Sequence, residues 1–439
     1  MAAIRLSCNS TRTMNEVSCL FKEEKMPNAL NAAPVRLVAL SLMMAGVVSC
    51  GGSGASSSGS DAAPPPSSGT PPPPAPPAAP APPAAPVPPA PPASINASLG
   101  VPGRLLVGLG AGNKIADMTS QQIRPDIIDT YLVGVGDGSW PYWNSPDGAY
   151  VTYASANAKA AGAVPLFTLY QMASRGEGNL SAINDASFMA SYWSQVRLMY
   201  QKIGATDQPT LVNLEPDFWG FVLTGAPGGD PTKVPARVST VSECASQPND
   251  VTGLARCLLT LGRTYAPKAK IGFPPSFWGR DATSVGNFML KLGADKADFI
   301  VAQTVDRDAG CMEVSPPPDE CAGRGNGPFY WDEANVATPN FRQNLDEWST
   351  ARSVLGNLPI LYWQTPMGVP SATPGGTPGH FRDNHVHYML TNPTQYTAIG
   401  VFGIVFSGGG STSANITTDG GQFASSFKAY LANPAALAH

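Results

Sequence analysis

The sequence predicts an α/β fold, a single (β/α)8 (TIM) barrel, in residues 99–439. Eight short apolar runs rich in β-branched and aromatic residues alternate with helical patterns to the end of the chain, as in a parallel barrel. The residues that carry chemistry also follow the strands rather than precede them, which is where such barrels place their sites. A doubly wound open sheet gives a similar alternation and is the alternative.

The predicted strands are short runs bounded by glycine, proline or polar residues. They comprise residues 105–111, 127–135, 164–170, 210–215, 270–274, 298–305, 359–365 and 401–407. The helices predicted between and after them lie within 113–122 and at 150–161, 185–203, 250–265, 282–292, 340–355, 381–390 and 421–431. A region of this length can bury a large core.

An export signal is predicted in residues 1–49, because residues 37–48 form an apolar run behind Arg36 that is too short to span a bilayer. The end of the run resembles the lipobox of bacterial lipoproteins, which implies that Cys50 is lipidated. By the same resemblance, the glycine after it favours the outer membrane. Glutamates in the first 25 residues suit a signal badly, so Met26 is a second candidate start. A plain secretory signal or a buried helix is the alternative.

Residues 50–95 are predicted to form a linker, first rich in Gly and Ser and then in Pro and Ala. Such a tract favours extended polyproline II and acts as a spacer that holds a folded domain away from an anchored end. A ligand tract for proline-recognising modules is the alternative. The folded domain is predicted at 99–439.

The charge of the chain limits its partners. Its 27 Lys and Arg against 31 Asp and Glu give a net charge of −4, and no basic cluster occurs, so a nucleic-acid partner is not expected. Membrane contact is expected through the lipid anchor only. We expect a monomer without a metal or cofactor.

Four of the seven cysteines lie in the folded region, as two pairs close in sequence. In an exported chain such pairs predict disulfides, here Cys244 with Cys257 and Cys311 with Cys321. A zinc site is the alternative, although no CxxC pair is present.

Aromatic, amide and carboxylate residues follow the predicted strands. Sugar rings present C–H faces that stack on indoles and hydroxyl groups that pair with polar side chains, so the sequence predicts a carbohydrate substrate. For each aromatic residue, core packing is the alternative. The predicted substrate-binding residues are Asp137, Trp140, Trp143, Tyr170, Asn213, Trp219, Trp278, Gln303, Trp363, Gln364 and His380.

Glu215, at the end of the fourth predicted strand, is the first candidate for a general acid. Strand alternation places it on the same face as Asn213, and desolvation by neighbouring aromatic residues would raise its pKa and keep it protonated. Glycoside hydrolysis needs a second carboxyl group. Asp306, after the sixth strand, is the first candidate for it, because it can reach across the barrel mouth. Other candidates are Asp217, Asp137 and Asp308.

The motif Asn213-Leu214-Glu215-Pro216 resembles the fourth-strand Asn-Glu-Pro of the large group of (β/α)8 glycoside hydrolases known as clan A, with one residue inserted. The resemblance implies that Glu215 is the acid/base. Those enzymes carry a nucleophilic Glu at the end of strand seven, where this chain has Gln364. An inverting or a neighbouring-group mechanism therefore stays open.

The function predicted from the sequence is thus an exported glycoside hydrolase. A non-catalytic glycan-binding lipoprotein is the alternative, and a deacetylase is disfavoured by the poor set of metal ligands. Segment 380–387 holds three of the four histidines. We expect its polar residues to pin a helix, with a metal site as the alternative, because His385 and His387 do not face the same way on a helix. A calcium loop at 306–310 is a further alternative.

Overall fold

The computed structural model describes residues 94–304, 330–369, 383–408 and 414–437, together with the backbone of two antiparallel strands, Ile4–Cys8 and Cys19–Glu23. The predicted lipidation site Cys50 and residues 50–93 of the predicted linker lie outside the described residues, as does most of the predicted export signal. So do Asp306, Asp308, Cys311, Cys321 and His380.

Eight parallel strands form a closed barrel in which each strand pairs with the next and the last pairs with the first. They are β1 (Leu106–Leu109), β2 (Ile127–Val133), β3 (Val164–Tyr170), β4 (Thr210–Leu214), β5 (Ala269–Phe273), β6 (Phe299–Ala302), β7 (Ile360–Pro366) and β8 (Val401–Ser407). Closure occurs where β8 runs beside β1, with Gly403 opposite Leu106. The barrel prediction is confirmed, and the open-sheet alternative is wrong.

One short helix precedes the first strand, and the other described helices lie between and after the strands. They are α1 (Ile95–Leu99), α2 (Ile115–Ser120), α3 (Ala149–Ala160), α4 (Ala186–Ala205), α5 (Phe218–Gly225), α6 (Val251–Tyr265), α7 (Ala282–Leu292), α8 (Phe341–Val354), α9 (His385–Thr391), α10 (Pro393–Ala398) and α11 (Gln422–Ala432). The starts of several are set by N-caps: Asp185, Asp250, Asp281 and Asn340 each accept a hydrogen bond from a backbone N–H three residues on. None of the described helices is long and apolar enough to cross a membrane.

Alternation along the strands separates two apolar cores. Leu166 and Leu211 belong to a cluster inside the barrel, whereas Phe167 and Val212 pack outward against the helices. Phe299 crosses the interior and requires a glycine on the neighbouring strand: a Cβ on Gly272 would lie 2.3 Å from its ring. The middle of the barrel is therefore filled with side chains.

Helix α1 belongs to the N-terminal end of the barrel. Its Ile95 and Leu99 join the interior cluster, and the Asn96 amide donates to the carbonyls of Pro102 and Arg104 at 2.7 and 2.9 Å. The folded domain therefore begins near residue 94, a few residues before the predicted boundary at 99.

Candidate active site

A polar layer lies inside the barrel near the C-terminal ends of the strands. Asp129 of β2 accepts hydrogen bonds from the Thr168 hydroxyl at 2.7 Å and from Trp363 Nε1 at 2.9 Å. The Asn213 amide lies 3.5 Å from the same hydroxyl. Burial raises the pKa of Asp129 to about 6, although the hydrogen bonds from Thr168 and Trp363 oppose the shift. The layer thus holds a carboxyl group that titrates near neutral pH.

Partly exposed polar and aromatic side chains lie above this layer. Gln364 Nε2 donates to the Tyr131 hydroxyl at 3.1 Å, and the Tyr131 ring lies 5.8 Å from Trp363 and 6.4 Å from Tyr170. These side chains come from β2, β3 and β7, so they meet at the mouth of the barrel. The arrangement offers ring faces together with hydroxyl and amide groups.

Glu215 follows β4 directly but does not continue its alternation. Its φ of +52° turns the side chain toward the loop after β3, where Oε2 accepts the backbone N–H groups of Gln171 and Met172, each at 2.9 Å. The Tyr192 hydroxyl of α4 lies close enough to the carboxyl group to lower its pKa, although the pair does not meet strict hydrogen-bonding geometry. Glu215 is fully buried, and this burial raises its pKa to about 8 against the opposing hydrogen bonds.

The Glu215 contact is part of a buried polar network. The Gln171 side chain donates to the Gly134 carbonyl and to Gln195 of α4, both at 2.5 Å. Gln195 in turn donates to the Ser139 hydroxyl at 2.9 Å. The loops after β2, β3 and β4 are thus tied to one another and to α4.

Asp217 is oriented differently from Glu215. It is partly exposed and lines a small recess with Tyr170, Glu177 and Phe221 between the loops after β3 and β4. The Tyr170 hydroxyl donates to Glu177. Burial raises the pKa of Tyr170, and the charges of Glu177 and Asp217 raise it further. Of the two carboxyl groups that follow β4, Asp217 is the one in contact with an open recess.

Left-handed backbone conformations are found at the ends of three strands. Glu215 and Asp217 after β4, Trp278 after β5 and Gln364 in β7 have φ values of +52°, +65°, +44° and +53°. Such conformations are costly for residues other than glycine and tend to cluster at functional sites. Four of the eight non-glycine residues with positive φ in the described part of the chain lie at this end of the barrel.

Sugar stacking requires a ring face that is accessible to solvent, and several of the predicted tryptophan platforms lack one. Trp140 and Trp219 are fully buried in the outer core and present no face to solvent. Trp219 Nε1 donates to the Leu214 carbonyl at 2.8 Å. This bond ties the start of α5 to the last residue of β4 and directs the indole ring into the core. Trp363 is 2% exposed, and its Nε1 donates to Asp129 in the polar layer. Trp278 is 39% exposed and packs 4.7 Å from the Phe221 ring.

The remaining predicted contacts are spread around the mouth. Trp143 is half-buried against Tyr150, with ring centroids 4.8 Å apart, and its Nε1 donates to Gly138 in the loop that also carries the exposed Asp137. The Gln303 carbonyl accepts Trp348 Nε1 at 3.0 Å.

Sequence reasoning missed Asp129, Thr168 and Tyr131. A signal was present, because Asp129 lies in the middle of an otherwise apolar strand on the inward alternation, where an unpaired charge is costly.

Two other predicted features also lie in the described residues. The sulfur atoms of Cys244 and Cys257 are at bonding distance, with Cα atoms 5.5 Å apart. Asp383 accepts the His385 backbone N–H at 2.7 Å and lies 2.8 Å from its Nδ1, so the polar residues of this segment pin the start of α9 as expected. His385 is buried, whereas His387 is exposed beside Glu333.

No family model matches the chain, and no curated protein matches it. Among solved structures, GH26C from a Muricauda species is 10% identical, with 77% of this chain and 87% of that chain covered and a TM-score of 0.44. A GH26 β-mannanase from Bacteroides ovatus is 9% identical, with coverages of 75% and 89% and a TM-score of 0.41. A D-allulose 3-epimerase from a Methylomonas species is 11% identical, with coverages of 75% and 98% and a TM-score of 0.38. Likeness at this level concerns the barrel alone.

Proposed function

We propose that the barrel hydrolyses glycosidic bonds in a poly- or oligosaccharide. The observation that supports this most is that two carboxyl groups lie beside partly exposed rings. Asp129 accepts a hydrogen bond from Trp363, which lies against Tyr131, and Asp217 lines a recess with Tyr170. Burial raises the pKa of Asp129 to about 6, whereas Asp217 is partly exposed, so the two carboxyl groups lie in different surroundings. Acid and base roles require two carboxyl groups in different environments.

In the proposed reaction, a carboxyl group after β4 protonates the leaving oxygen while a second one activates water. The end of β7 carries Gln364, and an amide cannot form the glycosyl ester of a retaining enzyme. This favours inversion. Asp129 is the described candidate for the base, and Asp306 remains the candidate from the sequence.

We further propose that the chain is an exported lipoprotein anchored through Cys50, with the Pro-rich segment as its spacer. The outer membrane is the proposed location. Growth with a labelled fatty acid tests this: label in the wild-type chain that is lost in Cys50→Ser supports the anchor, and label in both chains contradicts it.

A glycan-binding protein without turnover is the second candidate. Two observations favour it: strand β7 ends without a carboxylate, and the Glu215 carboxyl is closed off from solvent. Such a protein would keep the aromatic mouth and bind a polymer without cleaving it.

Release of reducing sugar from a panel of bacterial, fungal and plant polysaccharides separates the two candidates. The full chain carrying Cys50→Ser is compared with the same chain carrying Asp217→Asn. Asp207→Asn is the matched control, because Asp207 also has a left-handed backbone (φ +52°) but lies before β4, at the opposite end of the barrel. Release that Asp217→Asn abolishes and Asp207→Asn preserves supports hydrolysis. No release, with one polysaccharide retarding the protein in an affinity gel, supports binding alone.

A further inference from the structure

We propose that Glu215 is a positioning residue that holds the loops of the mouth, and that the proton donor after β4 is Asp217. This inference rests on the glycoside hydrolase activity proposed above. It reverses the assignment that the sequence motif suggests.

The surroundings of Glu215 leave no room for a substrate oxygen. Its side chain is 0% exposed, and Oε2 is used by the Gln171 and Met172 N–H groups. Oε1 is buried and faces the Tyr192 hydroxyl of α4, outside the barrel wall. A general acid must reach its substrate within hydrogen-bonding distance or through one water. Glu215 instead contacts backbone groups of a neighbouring loop.

The loop after β3, which Glu215 holds, is itself hydrogen-bonded to α4 and to the loop after β2. Gln171, whose N–H group it accepts, donates to the Gly134 carbonyl and to Gln195, and Gln195 donates to Ser139. Gly134 and Ser139 lie in the loop after β2, so one connected set of buried hydrogen bonds spans three loops. These hydrogen bonds restrict the positions of the three loops relative to one another. Tyr170, which directly precedes Gln171, is placed at the mouth by the same set.

Asp217 is better placed than Glu215 to meet this requirement, because it can be reached from solvent. It is partly exposed and lines the recess with Tyr170, Glu177 and Phe221. It occupies the N-cap position of α5. Pro216 joins it to Glu215 in a turn with positive φ on both sides. Fixing Glu215 therefore fixes the position of Asp217.

The two roles predict different responses to an amide at position 215. In Glu215→Gln, the amide oxygen can still accept both N–H groups and the NH2 group can donate to the Tyr192 hydroxyl, but no proton can be transferred. We expect Glu215→Gln to retain activity within about threefold, with an unchanged alkaline limb in its pH profile. Glu215→Ala leaves two buried N–H groups unpaired and should lose about 100-fold or more through misplacement of the mouth. Asp217→Asn should lose about 100- to 10,000-fold, the contribution of a general acid, with the Asp207→Asn control unaffected.

These variants are assayed on a polysaccharide that the wild-type chain cleaves. Loss of turnover in a folded Glu215→Gln, equal to the loss in Glu215→Ala, would overturn the positioning role. Full activity in Asp217→Asn would overturn the assignment of the donor.

If no polysaccharide is cleaved, the proposed hydrolase activity fails, but hydrogen exchange still tests the positioning role of Glu215. The Gln171 and Met172 amides should be protected from exchange in the wild type and in Glu215→Gln, but not in Glu215→Ala. Rapid exchange at these amides in Glu215→Gln, or protection in Glu215→Ala, would contradict the positioning role.

Discussion

The buried Glu215 carboxyl should make the stability of the domain depend on pH. Its pKa rises from the ordinary 4.5 to about 8 in the folded state, because burial disfavours the charged form. A group whose pKa is higher in the folded state stabilises fully below its unfolded pKa, and this stability is lost as the pH rises through the folded pKa. At about 1.4 kcal/mol per unit, the loss between pH 4.5 and 8 is about 5 kcal/mol.

Urea unfolding of the wild type and Glu215→Gln at pH 5, 6.5 and 8 measures this effect. The Gln side chain keeps the contacts with Gln171 and Met172 but does not titrate. We expect the wild type to lose stability relative to the variant by up to about 1.4 kcal/mol for each pH unit over this range, with no further relative loss above pH 8. Asp129 titrates in both proteins and cancels in the difference. A difference that does not change with pH would refute the reasoning.

Two further predictions concern packing and covalent structure. Trp140→Ala should destabilise the domain by about 3–5 kcal/mol, since the ring is fully buried. Trp278→Ala should cost little stability, since its ring is 39% exposed, but it should weaken the retardation of the protein by a glycan in an affinity gel. Thermal unfolding measures the stability of both variants. Equal destabilisation by Trp140→Ala and Trp278→Ala would contradict the assignment of Trp140 to the core and of Trp278 to the surface. Cys257→Ser should lose about 3 kcal/mol of stability by opening the loop closed with Cys244, which is 13 residues away in sequence. Unfolding under oxidising and reducing conditions measures it, and identical values for the wild type in both conditions would contradict the disulfide.

The sequence was sufficient to predict the barrel because each strand is a short apolar run and the helices between them carry capping residues such as Asp250 and Asp281. Every predicted strand overlaps an observed one. Strand alternation also placed Asn213 correctly on the inner wall.

The direction of Glu215 could not be predicted from the same rule. Alternation applies only while the backbone stays extended, and the extended run ends at Leu214, because Glu215 has a positive φ. For Trp140 and Trp219, position after a strand indicated the correct end of the barrel but not whether the ring points into the core or into solvent. That choice depends on how each loop folds back, as the hydrogen bond from Trp219 to the Leu214 carbonyl illustrates.

The filled interior of the barrel determines how a polymer can approach the site. Phe299 and Phe402 meet inside the barrel with ring centroids 5.6 Å apart, below the layer that contains Asp129. No sugar chain can thread through this floor, and a sugar unit that enters from the mouth can descend no deeper than Asp129. A bound polysaccharide must therefore lie across the mouth of the barrel. Both products of cleavage must leave from the same end of the barrel at which the substrate bound.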